Sequence, residues 1–276
     1  MESILEQFRL TNKVVIITGG AGLLGVKHAE AIAGAGGIPV LWDIEKIKVE
    51  EEADTIRKHY NASALGLGVD VTDLDSIVNG TRTVIETFKK IDILINNAAL
   101  DPKVSEGDNT SWGRFENYSL DFWNKEISVG LTGAFLCSQV VGKHMAANNQ
   151  GIIINIASDL SLISPDQRLY RKEGLQNDEQ PVKPITYSVI KHGLLGLTKY
   201  LATYWADKNI RVNSISFGGV YTGQPDEFVK RLTGLIPLGR MARADEYKAA
   251  IVFLCSDASS YMTGTNLVID GGRTCW

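Results

Sequence analysis

Cysteine is scarce in this chain. The three present, Cys137, Cys255 and Cys275, are far apart, and no pair has the spacing of a zinc ligand set. An odd count without a close pair speaks against a disulfide framework. It fits a reducing cytosol, where such residues serve as small, buried apolar side chains. Histidine is also rare, and His28, His59, His144 and His192 form no HExxH or similar pattern, so no metal is expected. No apolar run approaches the ~18 residues of a membrane span. The charged N-terminus MESILEQFRLTNK lacks the apolar centre of a signal peptide. Net charge is −4 with no basic stripe, so nucleic-acid binding is not expected. These absences leave a soluble, cytoplasmic protein whose partners are small molecules rather than nucleic acid or membrane.

What is present is an alternation. The 276 residues are 44% apolar and 22% charged, an ordinary globular balance. KVVIIT, 13–18, is the unbroken β-branched run of a parallel strand buried on both faces. Further strands are expected at 38–43, 63–71, 91–99, 151–158, 210–216 and 266–272. Helical patterns lie between them at about 23–35, 45–60, 73–88 (capped by Asp73), 120–148 and 185–206. Seven strands alternating with helices predict a single-domain α/β fold over 1–276. It is a doubly wound Rossmann arrangement, a seven-stranded parallel sheet with helices on both faces. Ligands in such a sheet bind outside the C-terminal strand ends. There is no internal repeat and no low-complexity linker. The stretches at about 100–119 and 166–184 lack periodicity and read as insertions, which at that length are usually functional or mobile.

The first strand runs into TGGAGLLG, Thr18 to Gly25. Glycine-rich text alone is weak evidence in a chain with 27 glycines. Here it follows a strand and opens a helix, which is the context of a dinucleotide loop. Gly19 permits the tight turn, Gly22 lets the backbone approach a pyrophosphate at the helix N-terminus, and Gly25 lets helix and strand pack closely. Leu23 and Leu24 complete the loop, with side chains expected to face the core. Asp43 ends the second strand, 18 residues after Gly25 (43 − 25). A carboxylate there accepts both adenosine ribose hydroxyls and repels a 2′-phosphate, so NAD is favoured over NADP.

The chain resembles the short-chain dehydrogenase/reductase family from about Lys13 to Gly272. DVTD resembles its adenine-contacting site, with Asp70 and Val71 at the matching positions. NNAA, Asn96 with Asn97, Ala98 and Ala99, resembles NNAG with its last glycine replaced. YSVIK, Tyr187 to Lys191, matches YxxxK. SFGGVYT resembles the PGxxxT loop, with Phe217 for proline and with Gly218, Val220 and Thr222 as cofactor contacts. The glycine loop itself looks like TGxxGxxG of the extended, sugar-nucleotide-modifying branch, whose large C-terminal substrate domain is not expected here. A closer likeness, over 164–206, is to oxidoreductases of bacterial flagellin modification. These are linked to nonulosonic acids such as legionaminic acid, so the likeness implies a sugar-type substrate of surface-glycan biosynthesis.

The resemblance makes Ser158, Tyr187 and Lys191 the catalytic residues. Positions i and i+4 share a helix face, so Lys191 can lie near both the Tyr187 phenol and the nicotinamide ribose. A free phenol, with a pKa of ~10, is too weakly acidic to act as a base near neutrality. A nearby cation favours the phenolate, which then exchanges a proton with the substrate oxygen. Ser158 hydrogen-bonds that oxygen. A second YxxxK, Tyr204 and Lys208, lies 17 residues further along the same helix. That is roughly 25 Å away, too far to share the site. Gly130 stands where the family carries a helix asparagine. The leading reading is an NAD(H)-dependent oxidoreductase of a secondary alcohol or ketone. A sugar-nucleotide epimerase or dehydratase is a second reading, from the glycine loop. A catalytically inactive dinucleotide-binding regulator is a third, from Gly130, Phe217 and Ala99. Family members usually pair through the helices flanking the fifth strand, which implies a homo-tetramer or homo-dimer. The 166–184 insertion begins at the crevice side, and its Arg168 and Arg171 are candidates to grip an anionic sugar substrate.

Overall fold

A computed structural model describes residues 3–100 and 111–276. The seven strands are β1 (Val14–Thr18), β2 (Ile38–Asp43), β3 (Leu65–Gly68), β4 (Ile93–Asn96), β5 (Gly151–Ser158), β6 (Ile210–Phe217) and β7 (Asn266–Ile269). They form one parallel sheet in the order β3-β2-β1-β4-β5-β6-β7. Chain order reverses between β1 and β4, and a doubly wound sheet opens its ligand crevice at such a point. The register aligns the C-terminal ends: Thr18 pairs with Trp42, Asn96 with Asn155, and Ser158 with Phe217.

Alternation along the buried strands feeds two cores. Val15 and Ile17 face one layer, where α1 (Leu23–Gly34), α2 (Lys46–Tyr60) and α8 (Lys248–Cys255) contribute Ile32, Val49, Ile56, Ile251 and Leu254. Val14 and Ile16 face the other. There α3 (Leu74–Phe88), α5 (Gly133–Ala147) and α6 (Ile185–Tyr204) supply Ile77, Val84, Val141, Met145 and Leu201. Each such side chain contributes about 1.5–3 kcal/mol by leaving water. Asp73 caps α3, its carboxylate accepting from Asp75 N–H.

Three expectations are corrected. The helix expected over 120–148 is two helices, α4 (Leu120–Ile127) and α5, joined by a π-helical turn, Ser128–Thr132. The wide turn sits where side chains are missing. A Cβ on Gly130 would lie 2.8 Å from Ile190 Cγ2, and one on Gly133 would lie 2.9 Å from Val71 Cγ2. Two helices had no expected counterpart, α7 (Asp226–Thr233) and α8. The first is only eight residues long, and the second is apolar on too many sides to show a clear period. Cys275 is exposed, unlike the buried Cys137 and Cys255, because it follows the last strand at the surface. The insertion at 166–184 docks on α7: Arg231 donates to the Arg171 carbonyl at 2.5 Å, and the Tyr170 and Phe228 rings are 5.6 Å apart. Much of the insertion at 100–119 lies outside the described residues.

Candidate active site

The glycine loop is shaped by close approaches. Gly19 has φ +65°, and a Cβ there would lie 2.9 Å from Ala98 Cα. A Cβ on Gly25 would lie 2.1 Å from the Gly19 carbonyl oxygen, so only glycine lets α1 start against the turn. Gly22 is the N-cap of α1, exposed and without a side-chain cap. The first amides of a twelve-residue helix are thus left open to an anion, which is the cradle a dinucleotide pyrophosphate needs. Leu24 packs on the core as expected, but Leu23 is 51% exposed. Position 23 is the first residue of the helix and turns to solvent rather than inward, which corrects the expected core orientation.

Asp43 is bound to this loop. Its Oδ2 accepts from Ala21 N–H at 3.0 Å and its Oδ1 from Glu45 N–H at 3.1 Å. The carboxylate is half-buried and fixed at the end of β2. Lys46 reaches instead toward Glu50 and is 72% exposed. The adjoining turn is stitched to β1: Thr18 Oγ1 accepts from both Asn97 N–H and Ala98 N–H at 3.0 Å, and Asn97 Nδ2 donates to the Thr18 carbonyl. Ala99 is exposed beyond it. Asn96 is buried and donates to Ser138 and Asn155. At the end of β3, Asp70 Oδ1 accepts from the Thr72 amide and hydroxyl, and Val71 is buried under α5. Gly218 follows β6 against Asp270, where a Cβ would lie 2.9 Å from Asp270 Cα. Val220 bridges to Ala242, and Thr222 is exposed.

Ser158 ends β5, and Tyr187 and Lys191 lie in the first two turns of α6, which packs on the turn after Ser158. Lys191 is buried, its Nζ donating to the Ile156 carbonyl at 2.7 Å and lying 5.6 Å from the Tyr187 ring centre. Tyr204 is 61% exposed at the far end of α6, and Lys208 pairs with Asp207. Tyr187 and Lys191 thus lie at the start of α6, whereas Tyr204 ends it and Lys208 lies in the 3₁₀ turn beyond, Ala206–Lys208.

Several neighbours gave no signal in the sequence. Ser158 Oγ–H donates to Asp159 Oδ1 at 2.8 Å, and its oxygen accepts from Leu160 N–H. Burial holds the Asp159 carboxyl above the usual range, against the lowering pull of the Ser158 bond and of Arg273. Behind the start of α6, the Thr186 hydroxyl bonds the buried Glu126 carboxylate of α4 and the Tyr118 hydroxyl. Burial raises the Tyr118 phenol to about 12, with the Glu126 charge adding to the effect. Beneath the glycine loop His28 is fully buried beside Asn97, with neither ring nitrogen in hydrogen-bond geometry, and burial lowers it to about 3. Its ring lies 5.9 Å from Phe217, which stacks on Tyr247 at 4.0 Å. Phe217 thus fills an aromatic stack where the family has proline. Only the positions of Asp159 and Thr186, next to Ser158 and Tyr187, could have drawn attention.

The two candidate substrate arginines differ in their surroundings. The Arg168 guanidinium is 79% exposed and forks onto Asp166, at 2.8 Å from Nε to Oδ1 and 2.7 Å from Nη2 to Oδ2. Arg171 is exposed, and its carbonyl binds Arg231. The pairing with Asp166 forms because the two residues are neighbours in a capped 3₁₀ turn, Gln167–Tyr170.

The sequence profile of the family described as short chain dehydrogenase matches residues 13–170, and one described as enoyl-(acyl carrier protein) reductase matches 176–274. The chain is 32% identical to an NAD-dependent glycerol dehydrogenase of Listeria innocua, over 98% of this chain and 96% of that protein. It is 33% identical to a D-threitol dehydrogenase of Mycolicibacterium smegmatis, over 99% and 96%. The crystal structure of a gluconate 5-dehydrogenase from Burkholderia cenocepacia, in complex with NADP and tartrate, superposes with a TM-score of 0.86. The two share 27% identity, over 99% of this chain and all of that one.

Proposed function

The chain belongs to the short-chain dehydrogenases, and from that premise we propose that it is an NAD-dependent dehydrogenase of a polyhydroxylated, sugar-like secondary alcohol. The observation that carries this reading is the set Ser158, Tyr187 and Lys191 on the crevice side of the sheet, beside an open glycine cradle. NAD rather than NADP is supported by the Asp43 carboxylate, fixed at the loop with the nearest cation turned away. The polyol dehydrogenases among the relatives support a free polyol or sugar, and the flagellin-modification likeness supports a sugar derivative of surface glycans. The engagement of Arg168 by Asp166 favours the neutral alternative over a phosphorylated one. We place the enzyme in the cytoplasm; among the described residues no helix is long and apolar enough to cross a membrane.

The dinucleotide would rest on Gly19, Gly22, Asp43, Asp70, Val71, Asn97, Ala98 and Gly218. When bound, it supplies the hydride acceptor or donor. In oxidation Tyr187 takes the proton of the substrate hydroxyl, and Lys191 stabilises the phenolate that does so. Ser158 Oγ–H, which donates to Asp159 in this structure, would turn to donate to the substrate oxygen while Tyr187 takes its proton. The test is NADH formation across glycerol, tetritols, hexitols and aldonates. Net NADH supports the dehydrogenase. Product without net NADH would indicate an epimerase or dehydratase, and silence across the panel an inactive regulator.

A further inference from the structure

Two cations lie near the Tyr187 ring. Lys191 lies on its own helix, as the i+4 pattern requires. The second cation comes from the insertion: Lys183 Nζ sits over the Tyr187 ring, 4.3 Å from its centre and nearer than Lys191 at 5.6 Å. Lys183 is the last residue but one before α6, so its side chain is not placed by helix periodicity.

Its backbone is placed by the insertion. Lys183 N–H donates to Gln167 Oε1 at 2.9 Å, and Gln167 Nε2 donates back to the Lys183 carbonyl at 3.4 Å. Gln167 opens the 3₁₀ turn that Asp166 caps and that Arg231 and the Tyr170–Phe228 contact hold on α7. The far end of the loop is thus clasped to its near end, with Lys183 delivered onto the ring. Besides Lys183 and Lys191, the described elements around Tyr187 carry Asp121, Lys125 and His192, and the carboxylates Asp159 of the turn after β5 and Glu126 of α4. The last two are already engaged, Asp159 by Ser158 and Leu160, and Glu126 by Thr186.

We propose that Lys183 is a positioning residue that acts through Tyr187, stabilising its phenolate together with Lys191 and so setting the pH at which it accepts the substrate proton. An ammonium over a neutral phenol is attracted by the ring quadrupole. Ionisation puts a full negative charge on the same ring, so the attraction grows and favours the phenolate. An opposite charge within ~4–6 Å shifts an acid by about 1–3 units. The inference rests on Tyr187 being the proton-exchanging group.

The test uses the full chain with Lys183→Met, Lys183→Gln and Lys183→Arg. Two readouts separate this proposal from the proposed function. The first is kcat/KM for alcohol oxidation against pH. Met and Gln should move the acidic limb up by about one unit, a roughly tenfold loss below the limb and none above it. Arg should restore the original limb. The second needs no substrate: the near-ultraviolet absorbance of tyrosinate is titrated, with Tyr187→Phe subtracted to isolate Tyr187. Its midpoint should rise in Met and Gln and return in Arg. A midpoint and limb unmoved by loss of the charge, or a rate loss equal at all pH values, would overturn the role of Lys183. Absence of turnover on every alcohol would sink the dehydrogenase reading alone, and the absorbance titration would still decide on Lys183.

Discussion

Asp43 and His28 stand on either side of the glycine loop, and each carries a test. The Asp43 carboxylate is held by Ala21 and Glu45 amides and cannot easily turn away from a 2′-phosphate. A ligand at ~100 times its dissociation constant stabilises by about 2.7 kcal/mol. In thermal melts NADH should therefore raise the midpoint clearly and NADPH hardly at all; equal shifts would contradict the role given to Asp43. His28 concerns stability. Burial pushes its ring down to about 3, whereas the unfolded chain titrates near 6.5. Below pH 6.5 the unfolded state gains a proton that the folded state refuses. Stability is therefore full above pH 6.5 and falls toward pH 3, by up to about 1.4 kcal/mol per unit. Urea unfolding at pH 7 and pH 5 should lose about 2 kcal/mol less in His28→Met than in the parent chain. An identical loss in both would show that His28 does not carry the acid sensitivity. Asp43 and the glycines drew attention in the sequence because they stand at fixed places around the first strand–turn–helix unit. His28 and Glu126 did not, since what they do depends on Phe217 and Thr186 across the fold, and Lys183 did not, since it precedes α6 and lies outside its helical period.

At the scale of elements, β2 and β5 coincide with their hydrophobic runs end to end. Parallel strands buried on both faces write themselves as unbroken apolar text. The division of the 120–148 helix was hidden, because a π turn keeps both helical composition and direction. The turn also lies against Ile190 at Gly130, a tertiary contact that sequence periodicity does not carry. The same helices carry the pairing that the family resemblance implies. Phe122 of α4, Phe135 of α5 and Val189, Tyr200 and Tyr204 of α6 are all exposed. Surface aromatics gathered on neighbouring helices suit a two-fold interface. Light scattering at micromolar concentration should give a dimer or tetramer, and a monomer would refute the pairing.

For the whole molecule, seven strands alternating with helices were enough to anticipate the sheet, and the strand order places its reversal between β1 and β4. The glycine loop, Asp43 and the Asn97–Ala98 turn gather on that side, while Ser158 ends β5, next in the sheet after β4. The insertion's start at the crevice side was anticipated, but its docking on α7 was not. Its composition of arginine, lysine and acid fits a substrate clamp or a solvated loop equally well. In the fold its Arg168 is spent on Asp166 and its Lys183 on Tyr187. The central claim is that this crevice oxidises a polyol alcohol through Tyr187 with NAD. The most direct measurement is NADH formation with the polyol panel by the parent chain, Tyr187→Phe and Tyr204→Phe. The account expects turnover in the parent chain, its loss by at least a thousandfold in Tyr187→Phe with NAD binding kept, and near-parent kinetics in Tyr204→Phe. Undiminished turnover in Tyr187→Phe, or loss only in Tyr204→Phe, would contradict it.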